Sequence, residues 1–567
     1  MTRASRIFAI LVAAVLVVGG IVYAVTRGGD GGGGGTTTTT GTPTAPAGAL
    51  VVRFAYSPEK EQLIAPLIAR YNQESHEQGG RRVFVQGEVV ASGAAADGVV
   101  DGSLKVALWS PASSFWGRLV NWRADRPLVD DTNPSLVRTP LVIAMWEPMA
   151  RALGWPGKQL GWADLARLAR SPRGWAAYGH PEWGDFKLGH TNPEFSTSGL
   201  SAVAAQYYSS TGKVEGLTLA DVRDPKVRRQ VRDIQRAVVH YGDTTLYFAD
   251  QLAALGPGFA SAVAMEEVTL LDYNLNKAKG GQRLAAIYPR EGTFYSDNPL
   301  IALNAPWASP EQRAAAKGFA DWLVKEVTPA AAAASYLRPA ATGATPAAPI
   351  TRANLVDPAQ PRRALSVPSP EVLDAIRTAW LADRKPARIE VVLDTSGSMA
   401  DEGKFLAAQR GLVDFLKRLQ PQDEVGLTTF SDKPVRVAAP RPLRVARADL
   451  IRRVQGLFPD GGTALYDTAL HAWEDLLPTL SRDRISAVVL LTDGQDTSSQ
   501  TTLGGLTRTL RERGAGGEYQ LRIFTIAYGS DADRAVLKDI AAITSGRAYE
   551  GDPDTIAQVY KQISSFF

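Results

Sequence analysis

The sequence predicts an α/β protein with two folded regions behind an N-terminal apolar span. Three observations lead there. Short apolar runs alternate with amphipathic helix patterns from residue 50 to about 385. The alternation resumes, more regularly, from 386 to 567, and such alternation builds parallel sheets covered by helices. Ahead of both regions, "IFAILVAAVLVVGGIVYAV" runs from Ile7 to Val25 without a charge.

Those 19 residues are long enough to cross a membrane as a helix. Arg3 and Arg6 precede the span and only Arg27 follows closely, so residues 1–27 read as a cytoplasmic tip and single-pass anchor, with the bulk of the chain extracytoplasmic. The competing reading is a signal peptide cut before Val25, although such apolar regions usually run only about 7–15 residues. Residues 28–49, rich in Gly, Thr and Pro, cannot build a core and read as a tether of roughly 25 Å.

Composition narrows the function. With 62 basic and 58 acidic residues, the net charge of +4 gives no field that calls for nucleic acid. The densest basic stretch, six arginines between Arg436 and Arg453, lacks interleaved aromatics and reads as solvated surface. Cysteine is absent, which excludes disulfides, thiolate zinc sites and a lipid-bearing N-terminal Cys. The five histidines have no zinc-ligand spacing, and no nucleophile–base pair stands out, so binding is expected rather than catalysis.

Within 50–385, "LVVRFAY" reads as a strand and "SPEKEQLIAPLIARYNQES" as a helix opened by Ser57, Pro58 and Glu59. "KVALWSPASSF", "PLVIAMWEPMARAL", "GQRLAAIYPREGTFYSDNPLIAL" and "EQRAAAKGFADWLVKEV" repeat the style. In this order the pieces resemble the extracellular solute-binding proteins of ABC transporters. That resemblance implies two α/β lobes with a ligand cleft lined by strand-to-helix turns: Ser57, Trp109, Ser110, Thr191, Ser196 and Ser198. Helix N-termini with hydroxyls suit a small anionic solute. Capping alone accounts equally for Ser57. Glu266, Glu267 and Tyr273 fall where the chain would cross between lobes, and hinge packing is expected of them. A Pro/Ala-rich stretch and the helix pattern "EVLDAIRTAWLA" lead to a boundary near 386.

From Arg388 the runs "RIEVVLD", "EVGLTTFS", "KPVRVAAP", "ISAVVLLTDG" and "LRIFTIAYG" read as strands of a doubly wound sheet, the third at its edge. Ligands bind such sheets beyond the carboxyl ends of the strands, where the strand order reverses. In the order 3-2-1-4-5-6 that point lies between strands one and four, which end on Asp394 and Asp493. Thr395, Ser396 and Ser398 follow Asp394, and the turn "PDGGTAL" brings Thr463. Carboxylates and hydroxyls are hard oxygen donors; they suit Mg²⁺, with Mn²⁺ or Ca²⁺ as alternatives. Capping and turn roles would explain one of these segments, not all three. A phosphatase using Asp394 as nucleophile would want an acid two residues on, where Ser396 stands.

This region, 386–567, resembles the von Willebrand factor A-type domain. The resemblance implies a metal-ion-dependent adhesion site made by Asp394, Ser396, Ser398, Thr463 and Asp493, whose cation takes an acidic residue of a protein partner. The expected whole is a membrane-anchored, extracytoplasmic binding protein with a possible solute module. The alternative is the solute-capture component of an ABC-type uptake system.

Overall fold

Apolar runs become strands here because helices cover them, and three sheets result. The structure, a computed structural model, describes residues 44–130, 132–514 and 520–567. The expected anchor and most of the expected tether, through residue 43, lie outside the described residues. Among the described residues no helix is long and apolar enough to cross a membrane.

The first lobe begins with β1 (Leu50–Tyr56), β2 (Glu77–Gln78), β3 (Arg81–Val89) and β4 (Leu108–Ser110). The chain then leaves for a second lobe: β5 (Val137–Trp146), β6 (Leu188–Thr191), β7 (Val238–Gly242), β8 (Ala262–Glu266), β9 (Leu284–Ile287) and β10 (Tyr295–Ser296). It returns in β11 (Ile301–Ala302), which pairs antiparallel with β4, before β12 (Arg338–Pro339) joins β5. The first sheet runs β11-β4-β1-β3-β2 and the second β10-β5-β8-β6-β7, so each lobe is sewn from more than one stretch of chain. β1 is parallel to both β3 and β4, with the helix Glu61–Gln73 packing Leu63, Ile64 and Ile68 inward.

The Pro/Ala-rich stretch does more than connect. Its Ile350, Val356 and Leu365 are buried, and Leu365 donates its N–H to the Thr293 carbonyl at 2.9 Å. Arg338 at its start makes a buried two-pronged ion pair with Glu267, at 2.7 and 2.6 Å. The following helix, Pro370–Asp383, is capped by Ser369 and buries Trp380 edge-on against Tyr241, with ring centres 5.3 Å apart.

The third sheet contains β13 (Ala387–Asp394), β14 (Glu424–Phe430), β15 (Pro434–Pro442), β16 (Ile485–Thr492), β17 (Arg522–Tyr528) and β18 (Ala548–Gly551). Its order is β15-β14-β13-β16-β17-β18, the doubly wound 3-2-1-4-5-6, with only the edge strand β15 antiparallel. β16 and β17 are buried along their whole length because helices cover both faces. All three sheets belong to one compact unit.

Candidate functional site

β13 and β16 lie side by side and parallel, so Asp394 and Asp493 emerge together where the strand order reverses. Both carboxylates are fully buried. The Ser396 N–H donates to Asp394 Oδ1 at 2.7 Å, and the Thr492 hydroxyl donates to Oδ2 at 2.5 Å. Ser396 and Ser398 hydroxyls are 3.1 Å apart, and Ser398 Oγ donates to Asp493 Oδ1 at 2.7 Å. The Gly397 N–H donates to the Gly461 carbonyl at 2.9 Å, which ties in the loop that carries Thr463. A side chain at Gly494 would lie 3.4 Å from Thr463 Oγ1 and 3.8 Å from Ser398 Oγ, so these two hydroxyls flank one small space. The structure therefore gathers all five residues expected from the sequence.

Electrostatics sets the charge state of this cluster. Burial, with the Asp493 charge adding to it, pushes the Asp394 carboxyl up to about 6 against the opposing pull of its hydrogen bonds. Lys404 supplies a positive charge: its Nζ, buried in the first turn of the helix Lys404–Arg418, donates to Asp493 Oδ2 at 3.0 Å. A buried ammonium held by the Asp493 carboxylate marks a place built for positive charge. The donors are oxygens only, and among the described residues no three His, Cys, Asp or Glu side chains gather as a metal group. Two carboxylates with three hydroxyls fit a hard divalent cation.

Sequence reasoning missed Thr492 and Lys404. For Lys404 a signal was present: a lysine at a helix N-terminus opposes the dipole and needs a local reason. Thr395, one of the three clustered hydroxyls, turns away and donates to the Phe430 carbonyl at 2.9 Å.

The cleft between the first two lobes departs further from expectation. A cavity there is lined by Ser57, Ser196 and Thr197, and also by Glu59, Asp243 and Glu266. Ser57 caps no backbone; its hydroxyl donates to Glu59 Oε1 at 2.5 Å and accepts from the buried Lys60 ammonium. Thr191 and Ser198 hydroxyls bond each other at 2.8 Å, with Ser196 3.1 Å from Ser198. Trp109 and Ser110 are fully buried in β4 and do not line the cavity. Three carboxyls line the cavity, with Lys60 paired to Glu59 and Arg547 to Asp243; a neutral or amine-bearing solute fits this lining at least as well as the small anion expected from the serines. Glu266, expected where the chain crosses between lobes, lines this cavity, with its carboxyl pushed up to about 8 by burial and by Glu59. Glu267, paired with Arg338 and accepting from the Tyr288 hydroxyl, is structural, and Tyr273 is buried in the core.

A two-lobed α/β region followed by a doubly wound domain with oxygen donors at its switch point defines an extracytoplasmic binding protein. The chain belongs to the bacterial extracellular solute-binding protein family, which it matches over residues 52–337, and it continues into a von Willebrand factor type A domain over residues 389–562. Among curated relatives, the Mycobacterium tuberculosis protein titled "Uncharacterized protein Rv1836c" is 25% identical over 504 residues, covering 84% of this chain and 70% of that protein. Human inter-alpha-trypsin inhibitor heavy chain H4 is 28% identical over 195 residues, covering 32% of this chain and 20% of that protein. Among solved structures, a von Willebrand factor type A protein from Catenulispora acidiphila aligns with a TM-score of 0.29 at 22% identity, covering 32% of this chain and 42% of that one. A periplasmic thiamin binding protein aligns with a TM-score of 0.42 at 14% identity, covering 60% and 97%.

Proposed function

We propose that this extracytoplasmic binding protein recognises a protein partner through a divalent cation, most simply Mg²⁺, held by Asp394, Ser396, Ser398, Thr463 and Asp493. The observation that carries it is the meeting of Asp394 and Asp493 with the Ser398 hydroxyl at the ends of two adjacent parallel strands. When bound, the cation supplies a Lewis-acid position for a carboxylate of the partner. The protein's part is to hold Asp394 through the Ser396 N–H and Thr492 Oγ1, and to keep Thr463 on a loop tied to Gly397. No group on the chain is asked to break or form a covalent bond. An anchor at residues 1–27 would keep the molecule at the cell surface. The test is capture of surface proteins with Mg²⁺ or with chelator, using wild type, Asp394→Ala and Thr463→Ala. Chelator-sensitive capture weakened in both variants is expected; capture indifferent to chelator and to both substitutions rejects the reading.

The carboxylate-lined cavity favours a second role, capture of a small neutral or cationic solute between the lobes, whether for an uptake system or as a signal to the neighbouring domain. Thermal stabilisation by small amines, and none by phosphate at this cleft, is expected. Glu59→Gln should reduce the stabilisation by amines.

A further inference from the structure

A second cavity lies where the second lobe meets the third sheet, and the charged side chains lining it are all basic. The lobe contributes Lys187, at the start of β6, and His240 from β7. The other side contributes Lys385, just before β13, Arg484 and Ser486 at the start of β16, and Arg522 at the start of β17. No Asp or Glu lines it. It encloses about 430 Å³ of space, its open mouth included.

The side chains there are buried without enough acceptors. Lys385, Arg522, Ser486 and His240 are each less than one-tenth exposed. Ser486 Oγ, Arg522 Nη1, Arg484 Nη1 and His240 Nδ1 are shielded from solvent and have no hydrogen-bond partner among the described residues. Arg484 Nη2 pairs with Glu424 at 2.9 Å, but that carboxylate also serves Arg388 at 2.7 Å. Arg522 lies over the Phe524 and Phe566 rings, 5.2 and 5.8 Å from their centres, and donates to the Phe566 carbonyl at a long 3.4 Å. Burial, with the Arg482 charge adding to it, holds Lys385 down at about 8 against the opposing pull of Asp483 and Asp185. Burial and then Arg522, Lys187 and Lys385 push His240 well below its ordinary value. Asp483 and Asp185 act on Lys385 and Glu424 on Arg484, but the cations around the cavity outnumber these acids, and buried positive charge beside unsatisfied donors is costly unless something anionic sits among it.

We propose that this junction is a binding site for a small dianionic oxyanion of the phosphate or sulfate class, held by Arg522, Lys385, Arg484, Lys187 and Ser486. Gln520 Oε1 is also unsatisfied there and is an acceptor, but the unsatisfied groups of Arg522, Arg484 and Ser486 are donors, which matches a ligand that only accepts. Arginine forks and a hydroxyl give the geometry such oxyanions prefer. The ligand would join lobe to domain, because its partners come from both. This site is separate from the acidic cleft and from the cluster around Asp394, so it stands or falls independently of the functions proposed above.

The test uses the full-length chain, with thermal melting and calorimetric titration against phosphate and sulfate, chloride being adjusted to hold ionic strength constant. A saturable rise of several degrees in Tm is expected for wild type. Lys385→Met should abolish that rise while leaving the phosphate-free Tm unchanged or higher, since it removes a buried like charge. Ser486→Ala, which removes a single oxygen, should weaken phosphate binding at least threefold. A glycerol phosphate arm separates the sources: binding equal to phosphate assigns a phosphate ester, and binding by the inorganic ions alone assigns a free ion. No saturable rise over chloride in wild type, or equal rises in wild type and Lys385→Met, overturns the proposal.

Discussion

Lys404 Nζ donates to Asp493 Oδ2 at 3.0 Å, deep beneath the end of β16, and so places a fixed positive charge against one of the two acids at the strand switch. Removing one partner of a buried pair leaves an uncompensated charge, at a cost of about 3–5 kcal/mol. Lys404→Met should therefore lower metal-free stability by that order in denaturant unfolding, and Mg²⁺ should restore more stability to the variant than it adds to wild type. An unchanged Mg²⁺ increment would show that the ammonium and the cation do not answer the same charge.

Glu390 gives the same sheet a pH dependence. It is buried mid-strand in β13, accepts from Thr428 Oγ1 at 2.7 Å, and is pushed up to about 7 by burial. A carboxyl raised in the folded state is carried protonated there while the unfolded chain ionises near 4.5. Its contribution is therefore favourable below that value, falls as pH rises from about 4.5 to 7, and is flat beyond. Glu390→Gln should match wild type near pH 4 and exceed it by about 3 kcal/mol at pH 8, read from chemical unfolding at both pH values.

Gly426 makes the room for that carboxyl. A Cβ there would stand 2.0 Å from Glu390 Oε2 and 2.9 Å from Pro440 Cδ. Gly426→Ala should cost about 1–3 kcal/mol, and the double variant with Glu390→Ala should recover much of it. Equal losses in the presence and absence of the glutamate would assign the cost to Pro440 instead.

Much of the third sheet was legible because parallel strands buried on both faces are written as unbroken apolar runs; "ISAVVLLT" admits little else. The same runs end on Asp394 and Asp493, so the candidate site was legible with them. β18 was not: four residues, half of them polar or glycine, carry no pattern. The charge of the inter-lobe cavity was also hidden, since Glu59, Asp243 and Glu266 sit on three separate turns and only folding brings them together. Trp109 and Ser110 misled because a short apolar strand followed by a serine and a proline reads alike whether it faces a ligand or the core.

Asp243, which lines the inter-lobe cavity, also accepts from Arg547 Nη1 at 2.5 Å, just before β18. Tyr247 nearby stacks edge-on with Phe566 at 5.1 Å. A double-mutant cycle with Asp243→Asn and Arg547→Met should give a coupling of about 0.5–3 kcal/mol in stability. Arg547→Met alone should alter solute affinity, because it changes the charge felt by a cavity residue. Strict additivity would mean that the two side chains act independently.

The junction with the second lobe gathers at the amino ends of β13, β16 and β17, while Asp394 and Asp493 sit at the carboxyl ends of the same sheet. Eight residues of strand separate the two, roughly 26 Å at about 3.3 Å per residue. A tether pulled from one end and held at the other would load these strands lengthwise. Neighbouring ladders would then have to slip together rather than unzip one bond at a time, the arrangement that best resists tension.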